Sequence, residues 1–207
     1  MPAARRKWFV FDLGNVLLRL DYARVVDRIA SRSHSSREEL IDLMDAAGGY
    51  RDLERGRIDF REFHQFLVSR IGYLEDLRMF RTVWSDFFSG PVEGIDEILR
   101  RVRARYRVAF LSNSNEVHAE FIPREYPSLF ERDDVFIFSH RLHCAKPEPE
   151  VYHRALELLG AEPAEVLFVD DLAENVAAAR NVGIDAFQFT TSAELARTLE
   201  ERGLLDS

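Results

Sequence analysis

The chain has 207 residues with a formal charge of -8, and it is 46% hydrophobic and 31% charged, which excludes disordered, collagen-like, coiled-coil and low-complexity classes. The acidic balance leaves no diffuse basic surface, so no nucleic-acid or membrane partner is expected and an anionic substrate must meet a local cationic site. A single cysteine, Cys144, permits neither an intrachain disulfide nor a cysteine zinc cluster, and a reducing cytoplasm is the expected location.

Arg5, Arg6 and Lys7 ahead of the apolar run Trp8 to Phe11 resemble the opening of a signal peptide, but Asp12 ends that run at once. No other stretch approaches the roughly 18 apolar residues that cross a bilayer. Trp8 to Phe11 has no polar alternation, as expected of a strand buried on both faces of a parallel sheet.

From Asp21 to Ser89 the pattern is helical, with no convincing strand. Ser36 to Glu39 reads as a capping box ahead of Leu40, Leu43 and Met44, and Asp59 with Glu62 caps a helix striped by Phe60, Phe63, Phe66 and Leu67. Met79, Phe80, Val83, Trp84, Phe87 and Phe88 continue the apolar faces, as cap core with a few lining an entrance. Gly90-Pro91 marks a boundary.

Beyond it helix and strand alternate. Ile95, Ile98, Leu99 and Val102 have helical spacing, and Val108 to Leu111 is a second buried strand ending in Ser112-Asn113-Ser114. Val135 to Phe138 is a third. A helix carrying Val151, Ala155, Leu158 and Leu159 stops at Gly160, and Val166 to Val169 runs into Asp170-Asp171. A helix from Ala173 to Val182 stops at Gly183, Ile184 to Phe189 makes the last strand, and Thr191 with Glu194 caps a closing helix. The expected fold class is therefore α/β, a Rossmann-like parallel sheet core with an inserted helical cap, the core formed by residues 1–18 and 90–207 and the cap by 19–89.

Ligands of open α/β sheets bind beyond the carboxyl ends of the strands, which picks out Asp12, Ser112-Asn113 and Asp170-Asp171. Converging carboxylates repel by about 4 kcal/mol per pair at 4 Å and an effective dielectric of 20, unless a cation intervenes. Mg²⁺, with its preference for carboxylates, waters and phosphate oxygens, suits that set. Asp12 beside such an ion is the expected nucleophile toward phosphorus. The Ser112 hydroxyl, the Asn113 amide or backbone N–H, and the Lys146 ammonium are expected to hold the phosphoryl oxygens. Each segment alone could be no more than a helix cap; their shared position at strand ends argues for a site. The six histidines have no metal-ligand spacing, and His118 alone lies soon after one of these segments. Cys144 is expected to be a packing residue.

These residues resemble the haloacid dehalogenase-like hydrolases, whose four motifs appear in order: Phe11-Asp12-Leu13-Gly14-Asn15-Val16, Leu111-Ser112-Asn113, Lys146-Pro147, and Val169-Asp170-Asp171 with Asn175 beyond. The resemblance implies a nucleophilic Asp12, Mg²⁺ held by Asp12, Asp171 and the Gly14 carbonyl with Asp170 assisting, and phosphate held by Ser112, Asn113 and Lys146. It is closer to the bacterial alpha-D-glucose-1-phosphate phosphatase branch, through Asp12 to Val16, Glu54-Arg55-Gly56 and Pro123 to Pro127. The phosphatase domain of soluble epoxide hydrolase is similar at a greater distance. Where most phosphatases of the family have a second aspartate as general acid and base, this chain has Gly14, which offers a carbonyl but no proton.

The resulting expectation is a Mg²⁺-dependent phosphatase of a small phosphorylated metabolite, such as glucose 1-phosphate. The alternatives are a dehalogenase-type hydrolase and a non-catalytic phosphometabolite-binding protein. Oligomeric state has no signature in the sequence.

Overall fold

The computed structural model describes residues 7–45 and 49–206, so Arg5 and Arg6 of the basic opening lie outside the described residues. Strand β1 (Trp8–Phe11) leads through a tight turn to the short β2 (Leu18–Leu20). Helices α1 (Tyr22–Ala30), α2 (Arg37–Asp45), α3 (Gly49–Glu54), α4 (Phe60–Ile71) and α5 (Leu77–Ser85) follow, and β3 (Phe88–Pro91) returns antiparallel beside β2. The rest alternates: α6 (Ile95–Arg103), β4 (Arg107–Ser112), α7 (Glu116–Glu125), β5 (Val135–Phe138), α8 (Ser139–Leu142) and α9 (Pro149–Leu159). Then come β6 (Val166–Asp170), α10 (Ala173–Asn181), β7 (Asp185–Gln188) and α11 (Ser192–Glu201).

The parallel strands form one sheet in the order β5-β4-β1-β6-β7, which puts β1 at its centre. Phe11 lies opposite both Phe110 of β4 and Val169 of β6. Alternation of side chains sends Phe9, Phe11, Phe110, Leu167 and Val169 to one face, under α6, α7 and α11. Trp8, Val10, Ala109, Leu111 and Phe168 go to the other, under α9 and α10. With both faces covered, every residue of β1 and β6 is buried, which is why these strands are written as unbroken apolar runs.

A third apolar cluster lies among α1 to α5, built on Phe60, Phe63, Phe80 and Trp84, with Phe60 and Phe80 stacked at 4.8 Å between ring centroids. Its helices begin as their caps dictate. Asp59 and Glu62 exchange backbone bonds of 2.8 Å each, and Ser36 and Glu39 do likewise at 2.9 and 3.1 Å. Gly72, in the left-handed region, ends α4.

Two expectations are corrected. Phe88 and Ser89 belong to strand β3, not to a helical stretch, because their backbone pairs with β2. The last strand is shorter than expected, spanning Asp185–Gln188. Among the described residues no helix is long and apolar enough to cross a membrane.

Candidate active site

The sheet brings three chain-distant segments together at the carboxyl ends of its central strands. Asp12 follows β1 directly and its backbone N–H donates to Val169 O at 2.8 Å, carrying the β1–β6 ladder one residue further and setting Asp12 level with Asp170. On the other side of β1, β4 ends at Ser112. Carboxylate oxygens of Asp12, Asp170 and Asp171 all lie within 4.8 Å of one another.

Lys146 lies inside this acidic group. Its Nζ is 2.8 Å from Asp12 Oδ1 and 2.6 Å from Asp170 Oδ2, and the ammonium is buried. Burial works against the charge of Lys146, but Asp12 and Asp170 outweigh it, so its pKa is raised. Burial raises the Asp12 carboxyl above the usual carboxylate range, with Asp170 and Asp171 adding to the rise and Lys146 opposing it. Asp171 is raised too, chiefly by burial. One ammonium therefore does not balance three carboxylates, and the cluster has the charge and hard-oxygen donors that suit a divalent cation.

The neighbouring residues are fixed by hydrogen bonds. Asp170 Oδ1 accepts from Leu172 N at 2.9 Å and from Asn175 Nδ2 at 2.8 Å, so with Lys146 on its other oxygen both are engaged. Of the two Asn113 groups expected at the phosphoryl oxygens, amide or backbone N–H, the amide donates to Lys146 O at 2.9 Å and accepts from Lys146 N at 2.8 Å. Its side chain thus holds the lysine loop, and its backbone is the part left to face a ligand. The helix cap is Asn115, whose Oδ1 accepts from Val117 N and His118 N, so capping does not account for Ser112 or Asn113.

Two residues of the site were named in the sequence reading only within the resemblance and were given no role. Asn15 takes a left-handed backbone conformation (φ 52°), donates to Asp171 Oδ2 at 3.2 Å and accepts from Leu20 N at 3.2 Å, tying the turn after β1 to Asp171. An Asn in the turn after a buried strand was the available signal. Glu54, at the end of α3, lines the same cleft as Asp12, and Gly56 just beyond it was the clue to a turn there. A Cβ at Gly14 would meet the tip of the Leu20 side chain, Cδ1, at 2.8 Å, so a larger residue there would need Leu20 to shift.

The cleft has a volume of about 480 Å³ and is lined by Asp12, Ser112, Lys146 and Asp171 together with Tyr50, Glu54, Phe87 and Phe88. Phe87 and Phe88 are the members of the expected aromatic set that line the cleft. His118 reaches the wall, but its Nε2 donates to Trp84 O at 3.1 Å and its Nδ1 accepts from Asn115 at 3.2 Å. Burial pushes its pKa down to about 4, so it is a neutral packing residue. Cys144 is buried with its thiol pKa raised by burial, in keeping with packing.

A parallel sheet covered on both faces, with acids and a lysine converging at its carboxyl edge, defines an α/β enzyme. Residues 6–183 match the haloacid dehalogenase-like hydrolase family, and the chain belongs to that family. It is 28% identical to D-ribitol-5-phosphate phosphatase of Bacteroides thetaiotaomicron over 189 residues, covering 88% of this chain and 91% of the relative. A solved haloacid dehalogenase family enzyme of the same organism superposes with a TM-score of 0.83 at 24% identity, covering 94% of this chain and 98% of that one. A second structure of that enzyme, in complex with magnesium and inorganic phosphate, superposes at 0.79 with 24% identity, covering 90% of this chain and 95% of that one.

Proposed function

We propose that this protein is a Mg²⁺-dependent phosphatase of a small phosphorylated metabolite, a sugar or polyol phosphate, and that Asp12 is its nucleophile. The observation that carries the reading is the acidic triad of buried Asp12 and Asp170 with half-buried Asp171, the first two paired with one ammonium, in a cleft of metabolite size lined by Asp12. The likeness to a D-ribitol-5-phosphate phosphatase supports a polyol or sugar phosphate, and glucose 1-phosphate belongs to the same chemical class.

Asp12, Asp171 and the Gly14 carbonyl would hold the metal, whose charge would neutralise the phosphoryl oxygens and the nucleophile. Asp170, with both oxygens engaged by Lys146, Asn175 and the Leu172 backbone, sets the position of the lysine and tunes the site. Ser112, the Asn113 backbone and Lys146 bind the phosphoryl oxygens. An Asp12 oxygen attacks phosphorus while the bond to the leaving oxygen breaks. Water then attacks the phosphorus of the aspartyl-phosphate, releasing phosphate and restoring Asp12. Residues 19–89 serve as the cap over a core of residues 1–18 and 90–207, with the β2–β3 ribbon at the join; closure over the cleft excludes water from the first step.

A dehalogenase needs no cation, so nothing in that chemistry calls for Asp170 and Asp171 beside the nucleophile. The test is phosphate release from a panel of sugar and polyol phosphates with Mg²⁺ and with chelator. Release that needs Mg²⁺ and disappears in Asp12→Asn is expected. Halide release from haloacids without metal, or tight phosphometabolite binding with no release, would overturn the reading.

A further inference from the structure

Gly14 removes the proton donor and acceptor that a phosphatase of this kind needs at the leaving oxygen, and the cleft must supply it from elsewhere. Among the described residues, the acids lining the cleft besides the triad are Glu54 and Glu174. Glu174 is solvent-exposed at the start of α10. His118 is neutral, with both ring nitrogens engaged.

Glu54 differs in placement and in anchoring. Its backbone carbonyl accepts from Ser139 Oγ at 2.6 Å, which locks the end of α3 to α8. The next residue, Arg55, pairs with Glu148, and its carbonyl accepts from His143 Nδ1 at 3.2 Å. Gly56 then turns in the left-handed region so close to α8 that a Cβ would stand 2.1 Å from His140 O. Glu148 lies two residues beyond Lys146, so the loop that supplies the phosphate-side cation also fixes the segment that carries Glu54. The result is an anchored carboxyl group in the lining of the cleft that holds Asp12, close enough to Lys146 to feel its charge.

We propose that Glu54 is the general acid and base of the reaction, in the role Gly14 leaves unfilled; this rests on the phosphatase reading above. In the first step the Glu54 carboxyl gives its proton to the leaving oxygen as the P–O bond breaks and the Asp12–phosphorus bond forms, releasing a neutral alcohol. In the second, the Glu54 carboxylate takes a proton from water as the water oxygen bonds to phosphorus and the Asp12 oxygen departs. Glu54 ends protonated, and the sum is ester plus water giving alcohol plus phosphate.

The electrostatic setting is consistent with both roles. Burial raises the Glu54 carboxyl to about 7, with a Tyr50 hydrogen bond, Arg55, Lys146 and Arg51 moderating the rise. Tyr50 itself is kept protonated, its pKa raised by burial and by Glu54, so it acts as a donor to Glu54. A group near 7 is present in both forms at neutral pH, as a residue that donates and then accepts requires.

The test compares the Mg²⁺-loaded wild type with Glu54→Gln, on a sugar phosphate and on para-nitrophenyl phosphate, whose leaving group departs without a proton. With the sugar phosphate, kcat is expected to fall by about 10² to 10⁴-fold, the usual span of a lost general acid and base. With para-nitrophenyl phosphate, a stoichiometric burst of nitrophenolate is expected to survive and to be followed by slow turnover, because only the second step then needs Glu54. Wild-type kcat on both substrates, or a loss confined to KM for the sugar phosphate, would overturn the proposal for Glu54 while leaving Asp12 as nucleophile. A wild type that releases no phosphate from any ester removes the phosphatase reading itself. Should Glu54→Gln unfold, Glu54→Ala with added formate takes its place: restored turnover supports the role, and no restoration overturns it.

Discussion

Asn113 and Lys146 close a ring of two hydrogen bonds, side-chain amide to backbone, of 2.9 and 2.8 Å, across the ends of β4 and the lysine loop. The ammonium that faces Asp12 and Asp170 is thereby positioned from its own backbone. Each such bond is worth about 0.5–1.5 kcal/mol net, so Asn113→Ala should lose about 1–3 kcal/mol of stability in urea unfolding. Its kcat/KM for a phosphate ester should fall as well, because Lys146 loses its register. A variant with wild-type kinetics would show that the ring does not position the lysine.

His118 links stability to pH. Its pKa falls from 6.5 to about 4 on folding, because burial penalises the charged ring. Above 6.5 both states are neutral and the stability is complete; as pH falls from 6.5 toward 4 the unfolded chain gains a proton that the folded chain refuses, and stability is lost. The shift corresponds to about 3 kcal/mol across that window. Urea unfolding at several pH values should show that slope in the wild type and a smaller one in His118→Gln.

The strand ends were legible because β1, β4 and β6 are buried on both faces, so their apolar runs stop abruptly at Asp12, Ser112 and Asp170. The caps of α4 and α2 were legible because a capping box is local. The β2–β3 ribbon was not: Leu18-Arg19-Leu20 is too short to show a period, and Gly90 and Pro91 read as a break. Asn15 and Glu54 were given no role for another reason. Each acts on a residue remote in sequence, Asp171 for one and the cleft for the other, and only the fold brings them there. Of the two Asn113 groups expected at the phosphoryl oxygens, amide or backbone N–H, the sequence did not show that the amide bonds to Lys146, because those bonds go to the backbone of a loop with no pattern of its own.

Gly56 and Gly160 separate backbone strain from contact. Both lie in the left-handed region, with φ of 59° and 57°, but a Cβ at Gly56 meets His140 O at 2.1 Å whereas one at Gly160 has nothing within 4 Å. Gly160→Ala should cost about 1–2 kcal/mol from conformation alone and leave activity intact. Gly56→Ala should cost clearly more and lower kcat, because α3 must move off α8 and take Glu54 with it. Thermal unfolding and steady-state kinetics of the pair check this.

Metal binding should appear as stability. Mg²⁺ at about 100 times its dissociation constant should stabilise the wild type by about 2.7 kcal/mol over the chelated protein. Asp171→Asn should abolish that increment. Without metal, the same variant should be at least as stable as the wild type, since a neutral amide avoids both the burial of a charge and the repulsion from Asp170 that raise Asp171, and keeps an oxygen for Asn15.

The most direct test is rapid acid quenching of the Mg²⁺-loaded protein during turnover of a phosphate ester, followed by peptide mass spectrometry. A phosphoryl group on the peptide that contains Asp12, formed and lost at the rate of turnover and absent from Asp12→Asn, is the predicted result. Turnover with that peptide unmodified, or undiminished turnover by Asp12→Asn, would contradict it.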